Sequence, residues 1–209
     1  LLAGGRRPVA LEWWDFYEGF HPDYYYGYFP PLGPRYFSSK TLRSRLLIFL
    51  VSFNPYARPP ERIRSDVKLI GFYAGAEAHP SPQAGFNLGI SLWETLPGRA
   101  RRLLERLAQG SPLARSAIET LRRTHRLPLR APKRTSARLS SYPRLNWSRI
   151  GRGPLYQGWA YLKSTYQVDC LLKLVEESDP QAYEKLRQGI EESRGLIVDQ
   201  ALDHMSLSL

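Results

Sequence analysis

This chain has little cysteine and no long apolar segment. Cys170 is its single cysteine, which excludes an internal disulfide. No run of about 18 apolar residues occurs, so we expect no membrane-spanning helix and no membrane partner. No secretory signal pattern is visible, and we therefore expect a cytoplasmic protein. The ends look like interior sequence, so we expect the chain to be part of a longer protein with a partner or motor domain.

The familiar motifs of metal, nucleotide and hydrolase sites are also missing. There is no HExxH, CxxC, GxxxxGK[ST], GxGxxG or GxSxG pattern. The four histidines are scattered at His21, His79, His125 and His204. We therefore predict a protein that is not an enzyme and that uses no cofactor and no metal. The alternative is a metal-dependent nuclease, or another nucleic-acid enzyme, that uses N-terminal carboxylates. Its candidate residues are Glu12, Asp15, Glu18 and Glu77.

What the chain has in excess is positive charge. It carries 30 Lys and Arg against 19 Asp and Glu, giving a net charge of +11. Such a surface favours a polyanionic partner. Nucleic acid is the first candidate, expected over an anionic membrane surface as the second, and an inert basic surface is the alternative. Most of the cations are arginines, whose guanidinium group binds phosphates through paired hydrogen bonds and stacks on flat rings.

The positive charge is concentrated in residues 121–152, which contain ten Arg or Lys and no Asp or Glu. Cations without nearby acids repel one another unless an anion binds them, so this segment predicts contacts to the phosphates of nucleic acid. The predicted phosphate-binding residues are Arg122, Arg123, Arg126, Arg130, Lys133, Arg134, Arg138, Arg144 and Arg149.

Aromatic residues are concentrated near the N-terminus, where they make up twelve of the 26 positions from Glu12 to Phe37. Trp13 and Trp14 would point to opposite faces of a strand, so one enters the core and the other is covered or available. Two interpretations stay open for the tyrosine-rich part. It is either a lid that folds over the sheet or a platform on which bases stack.

Hydrophobic spacing predicts strands followed by helices. Strands are expected at 8–18, 46–54, 67–78 and 86–93, with an irregular loop at 19–37. Gly71 and Gly75 in the third strand predict a bulge or a close approach of other atoms to the backbone. Helices are expected at 98–110, 111–125, 168–178 and 180–205, the last with Asp179 as N-cap. This order predicts the α+β class.

Two of these strands carry a resemblance to a known superfamily. The sequence LLIFLVSFN at 46–54, a loop, and VKLIGFYAGAEA at 67–78 resemble the central hairpin of PUA-like domains, particularly YTH and EVE domains. Similar domains occur at the N-terminus of modification-dependent restriction GTPases of the McrB type. YTH domains have a tryptophan before this hairpin and another after it, which form the walls of a cage for a methylated adenine.

The resemblance implies a fold and a function. The fold would be a PUA-like twisted, partly closed β-barrel with flanking helices, formed by residues 1–165, and a C-terminal helical segment at 166–209. The module would read a modified, methylated base by flipping it into an aromatic cage, in DNA rather than RNA. A sequence-independent binder of RNA or DNA is the alternative. The implied cage residues are Trp13, Trp14, Trp93, Tyr17, Asn54 and Asp15.

Overall fold

The computed structural model describes residues 15–27, 45–52, 68–79, 85–146, 159–160 and 165–193. The described strands are β1 (Tyr24–Gly27), β2 (Leu46–Ser52), β3 (Lys68–Ala78), β4 (Phe86–Asn87), β5 (Arg126–Leu127), β6 (Leu129–Pro132), β7 (Ala137–Arg138) and β8 (Trp159–Ala160). The described helices are α1 (Leu92–Thr95), α2 (Gly98–Gly110), α3 (Pro112–Arg123), α4 (Thr165–Ser178) and α5 (Pro180–Ser193). A short 3-10 helix, Glu18–Phe20, precedes β1. The strand predicted at 8–18 is therefore wrong for its described residues, 15–18, which form a turn and the start of this helix. None of the described helices is long and apolar enough to cross a membrane.

Antiparallel pairing organises the main sheet, whose strands follow the order β1-β6-β3-β2-β8, with β7 also on β3. The predicted α+β class is therefore confirmed, as is the antiparallel pairing of the two hairpin strands, β2 and β3. The expected barrel closure is not found among the described strands, because β1 and β8 lie at opposite ends of this path. A separate two-stranded sheet pairs β4 with β5.

Strand β3 pairs first with β7 and then with β6. The change of partner occurs between Gly71 and Glu77, the region where the glycines predict a bulge or a close approach to the backbone. Its Gly71 pairs with β7 and its Glu77 with β6. Between them Gly75 has a φ of 71°, a left-handed conformation that favours glycine. The backbone at neighbouring Ala74 is bonded instead by side chains: Thr135 Oγ1 donates to its carbonyl at 2.8 Å, and Ser136 Oγ accepts from its N–H at 3.2 Å.

The two C-terminal helices pack on the sheet rather than standing apart from it. Helix α5 begins after Asp179, whose carboxylate accepts from the Ala182 N–H at 3.0 Å, as the predicted N-cap requires. Together the helices and the sheet enclose one cluster, the sheet–helix core. Its buried residues are Phe49, Leu69, Phe72, Ala74, Ala137, Leu139, Leu145, Leu171, Val175, Ala182 and Leu186.

Two further clusters lie on either side of β1. Tyr26 belongs to the α1–α3 core, together with residues of the 3-10 helix, α1, α3 and β5. Tyr25 belongs to the tyrosine core, together with Tyr73 of β3 and Leu129 of β6. Successive side chains of a strand point to opposite faces, so β1 is buried on both faces. The irregular loop predicted at 19–37 is therefore wrong for Tyr24–Gly27, which form a strand.

The strand predicted at 86–93 is also wrong beyond Asn87. Ser91 begins helix α1 with a capping box, in which the Ser91 N–H donates to Glu94 Oε2 at 2.6 Å and Ser91 Oγ accepts from the Glu94 N–H. These bonds satisfy the N–H groups of Ser91 and Glu94, which in a β-strand would need acceptors on a neighbouring strand. The same residues fix the position of Trp93 in the α1–α3 core.

Gly189 in α5 provides a test of how closely the helix approaches the sheet. An alanine Cβ there would lie 2.9 Å from Thr135 Cβ and closer still to Ala74 Cβ. We expect Gly189→Ala to reduce the free energy of unfolding by about 1–3 kcal/mol, because the clash outweighs the helix propensity gained. Urea unfolding measures the change. Gly110→Ala is the control, since nothing lies within 4 Å of its added Cβ. Equal stability of the two variants would contradict the close packing.

Candidate nucleic-acid interface

A cation lies against two aromatic rings on strand β6, which pairs with β1 on one side and β3 on the other. The Arg130 guanidinium carbon lies 4.9 Å from the ring centroid of Tyr24 and 4.4 Å from that of Phe86. Strand β6 sets Arg130 opposite Glu77 of β3, and its Nη2 donates to Glu77 Oε2 at 2.7 Å. Contacts of this kind are worth about 0.5–2 kcal/mol each, depending on exposure. The Tyr24–Arg130–Phe86 stack is therefore built before any ligand arrives.

A cleft of about 360 Å³ opens beside this stack. Its lining residues are Pro22, Asp23, Tyr24, Arg45, Glu77, Pro132, Lys133 and Arg134. The Lys133 N–H donates to the Asp23 carbonyl at 2.9 Å, which ties the turn after β6 to the start of β1. The volume is near the lower end of the range for small-molecule pockets, roughly 300–1,000 Å³. The cleft thus combines one aromatic ring, three cations and two carboxylates.

Lys133, which lines the cleft, forms an ion pair with Glu18 of the 3-10 helix. Its Nζ lies 2.5 Å from Glu18 Oε2, and the Tyr25 hydroxyl donates to Glu18 Oε1 at 2.6 Å. Burial raises the pKa of Tyr25 well above its ordinary value, and the bond to Glu18 adds to this rise. Partial burial raises the pKa of Glu18, but the bonds from Lys133 and Tyr25 and the Lys133 charge outweigh it and hold the pKa below 4.5.

The lowered pKa of Glu18 makes the contribution of this ion pair depend on pH. It is present above pH 4.5, the ordinary pKa of the carboxyl, and is lost as the pH falls through the folded-state pKa. We expect Lys133→Met to be less stable than the wild type near neutral pH, with a difference that shrinks below 4.5. Urea unfolding across this range measures it, with exposed Lys173→Met as control. A difference independent of pH would contradict the assignment.

Two of the predicted phosphate-binding residues already have acidic partners. Arg130 pairs with Glu77 and Lys133 with Glu18. The absence of acids from 121–152 therefore does not leave all of its cations without compensation, because strand pairing brings acids from elsewhere in the chain. The prediction that cations in this segment have no acid nearby is therefore wrong for Arg130 and Lys133.

The other described members of the predicted set are exposed arginines in three places. Arg122 and Arg123 end α3, and Arg126 begins β5, where it donates to the Gly85 carbonyl at 2.9 Å. The remaining exposed residues are Arg134 at the cleft and Arg138 and Arg144 near the other end of β3. Arg149 lies outside the described residues.

The distance between these places follows from the register of β3. Arg138 pairs opposite Gly71, and Arg130 opposite Glu77. Six residues at about 3.3 Å each set an upper limit of roughly 20 Å on the separation of the two pairs, because Gly75 between them departs from the extended conformation. The basic segment is therefore spread along the sheet rather than concentrated at one point, and it can contact several phosphates of one polymer.

Arginine stacks on an aromatic ring at two further positions. The Arg122 guanidinium lies 5.0 Å from the Trp93 ring centroid, and that of Arg138 lies 5.4 Å from the Tyr142 centroid. Arg138 Nε also donates to the Tyr142 hydroxyl at 2.6 Å. Three predicted phosphate-binding arginines, counting Arg130, thus lie against aromatic rings.

The predicted cage residues occupy different surroundings. Trp93 is only 8% exposed and has Arg122 over its ring, so a base could reach that face only after Arg122 moved. Tyr17 packs against the same α1–α3 core. Asp15 is buried near Gly27 and Tyr73 in the tyrosine core. Trp13, Trp14 and Asn54 lie outside the described residues. The described structure thus brings Tyr17 and Trp93 to one cluster and Asp15 to another.

The carboxylates of the nuclease alternative also have separate environments. Glu18 pairs with Lys133 and Glu77 with Arg130, whereas Asp15 is buried. Glu12 lies outside the described residues. Among the residues that the structure describes, no group of three or more His, Cys, Asp or Glu could hold a metal ion.

Comparison with known proteins identifies no relative of this chain. No protein-family model, no curated protein and no solved structure matches it. The proposal of a function therefore depends on the charges, contacts and burial of the described residues.

Several residues of this interface were missed by sequence reasoning. Tyr24 falls in the loop predicted at 19–37, Phe86 falls in the strand predicted at 86–93, and Arg45 belongs to none of the predicted sites. For Arg45 and for the pairing of Glu77 with Arg130, no local signal exists, because strands far apart in sequence bring them together. The capping-box sequence of Ser91 and Glu94 was a usable signal for α1.

Proposed function

We propose that this chain is a nucleic-acid-binding module, with DNA favoured over RNA, that holds phosphates with exposed arginines. The observation that carries the proposal is the exposure of arginines from one basic segment together with stacks of arginine on aromatic rings. Arginine forks match phosphate oxygens, and aromatic rings receive unstacked bases at roughly 1–3 kcal/mol per base. Phosphate contacts supply affinity and fix the position of the polymer, and base contacts supply selectivity.

The finer part of the proposal is that the module reads a modified base, and that the fold is a PUA-like barrel related to YTH and EVE domains. The antiparallel pairing of β2 with β3 supports it, since these strands carry the resemblance. Trp93 would be one wall of the cage, with Arg122 leaving its ring as the base enters. Trp13 or Trp14 would be the other wall.

The experiment is a fluorescence-anisotropy titration at fixed salt against matched duplexes. The duplexes contain N6-methyladenine, 5-methylcytosine or no modification, and the matching RNA is included. We expect tighter binding to one modified DNA duplex, by about tenfold or more, because one methyl group in an apolar pocket is worth roughly 1–3 kcal/mol. Equal affinity for all duplexes would contradict modified-base reading and leave sequence-independent binding.

The nuclease alternative is tested with the same DNA. Incubation with Mg²⁺ or Mn²⁺ followed by gel electrophoresis detects strand cleavage. Cleavage that depends on the added metal and is lost in Glu77→Gln would show that the chain is a metal-dependent nuclease rather than a binding module. We expect intact DNA at protein concentrations that saturate binding.

A further inference from the structure

We propose that the cleft beside Tyr24 binds one unstacked guanine. The inference rests on the proposed nucleic-acid binding, but it does not depend on the reading of a modified base. It follows from the kinds of hydrogen-bonding groups that meet in the cleft and from the limited volume between them.

The acceptors are the carboxylates of Glu77 and Asp23, which both line the cleft. Glu77 receives Arg130 on Oε2, and its side chain is 41% exposed, so Oε1 remains for a ligand. Asp23 is 78% exposed at its side chain. An ionised carboxylate accepts hydrogen bonds only. A base that contacts both carboxylates must therefore present N–H groups, and two adjacent N–H groups match the two oxygens of Asp23, because Arg130 occupies Oε2 of Glu77.

Guanine is the base with that arrangement. Its N1–H and its N2 amino group are adjacent donors on one edge, whereas O6 and N7 are acceptors on the other side. Adenine and cytosine each present one amino group beside an acceptor nitrogen. Thymine and uracil present one N–H between two carbonyl oxygens. A carboxylate next to these bases would oppose at least one lone pair.

The donors of the cleft match the remaining guanine edge and its phosphate. Arg45, Lys133 and Arg134 line the same cleft as the two carboxylates. Arginine pairs with O6 and N7 of guanine in the commonest base-specific contact of protein–DNA complexes. Lys133 Nζ pairs with Glu18 Oε2 and also donates to the Glu18 carbonyl at 3.0 Å, so one of its three ammonium donors remains for a phosphate.

Tyr24 supplies the flat surface for the ring. It lines the cleft, and its ring is already fixed by Arg130 and by His21, whose centroid lies 5.1 Å away. A ring held in this way loses little freedom when a base stacks on it, which favours binding. The cleft volume of about 360 Å³ suits one nucleotide and not a stacked duplex.

The test uses single-stranded oligothymidylate of about 12 nucleotides with one central guanine, adenine, cytosine, thymine or inosine. Inosine keeps N1–H, O6 and N7 of guanine and lacks only the 2-amino group. We expect the guanine oligonucleotide to bind about tenfold more tightly than the thymine one, and inosine to lose most of that gain. Asp23→Asn and Glu77→Gln should reduce the ratio of guanine to thymine affinity to about one, whatever the removed negative charge does to the affinity for both strands.

Glu176→Gln is the matched control, because it removes an exposed carboxylate on α4. Asp23 is largely exposed, so Asp23→Asn reports on the site even if Glu77→Gln disturbs Arg130. Salt-dependent binding of every oligonucleotide with no preference for guanine would overturn the guanine site and leave nucleic-acid binding standing. A guanine preference that survives both variants would also overturn it. No binding of any single-stranded oligonucleotide would overturn the guanine site, and the duplex titration described above decides separately whether nucleic-acid binding stands.

Discussion

Replacing Arg122, Arg123 and Arg126 together with glutamine is expected to weaken DNA binding by about two orders of magnitude at physiological salt. Each phosphate contact contributes about 0.9 to the slope of log affinity against log salt on duplex DNA, so three lost contacts remove roughly 2.7. All three side chains are exposed at the end of α3 and in β5. Anisotropy titration of the wild type and the variant at several salt concentrations measures both the affinity and the slope.

The matched control replaces Arg99, Arg102 and Arg106 with glutamine. These arginines are exposed on α2, and the change in net charge is the same. We expect this control to retain most of the affinity and a slope close to that of the wild type. An equal loss in both variants would mean that net charge, rather than the surface at the end of α3, determines binding. Circular dichroism checks that both variants fold.

Leu186→Ala is expected to have the largest effect on stability, about 2–5 kcal/mol. Leu186 is fully buried in the sheet–helix core, where it shares a cluster with Phe72 of β3 and Leu171 of α4. Removing it leaves a cavity between α5 and the sheet, so the helices and the sheet should lose stability together. Urea unfolding, followed by circular dichroism and by tryptophan fluorescence, measures the change.

The control for this core variant is Leu103→Ala on α2. Leu103 is 51% exposed, and its replacement should change stability by no more than about 0.5 kcal/mol. We expect the two probes to report a single shifted transition for Leu186→Ala. Two separate transitions, with fluorescence unchanged, would mean that residues 166–209 unfold as an independent unit, as the predicted division at 165 allows.

The sequence was sufficient for elements whose pattern is local. The apolar run at 46–54 and the glycine-marked run at 67–78 predicted strands, and β2 and β3 lie at 46–52 and 68–78. The helical spacing after Gly98 predicted α2. Asp179 before Pro180 predicted the start of α5, and hydrogen bonding to the Asp179 carboxylate confirmed it. In each case the residues that define the element also stabilise it.

The candidate site could not be predicted in the same way, because long-range pairing creates it. Glu77 lies opposite Arg130 only through the register of β3 with β6. The Asp23 carbonyl accepts from the Lys133 N–H only because β1 pairs with β6. Tyr25 and Tyr26 were ambiguous between lid and platform. Both are buried, in separate cores on the two faces of β1, and Tyr24 is the tyrosine of this group that lines the cleft.

The most direct test of nucleic-acid binding is the salt dependence of wild-type affinity for an unmodified DNA duplex. Anisotropy titrations from about 0.05 to about 0.2 M salt give the slope of log affinity against log salt. Six exposed arginines of the predicted set, at about 0.9 each, predict a slope of about −5. A slope shallower than about −1, or no binding at the lowest salt, would contradict the assignment of this surface to phosphates.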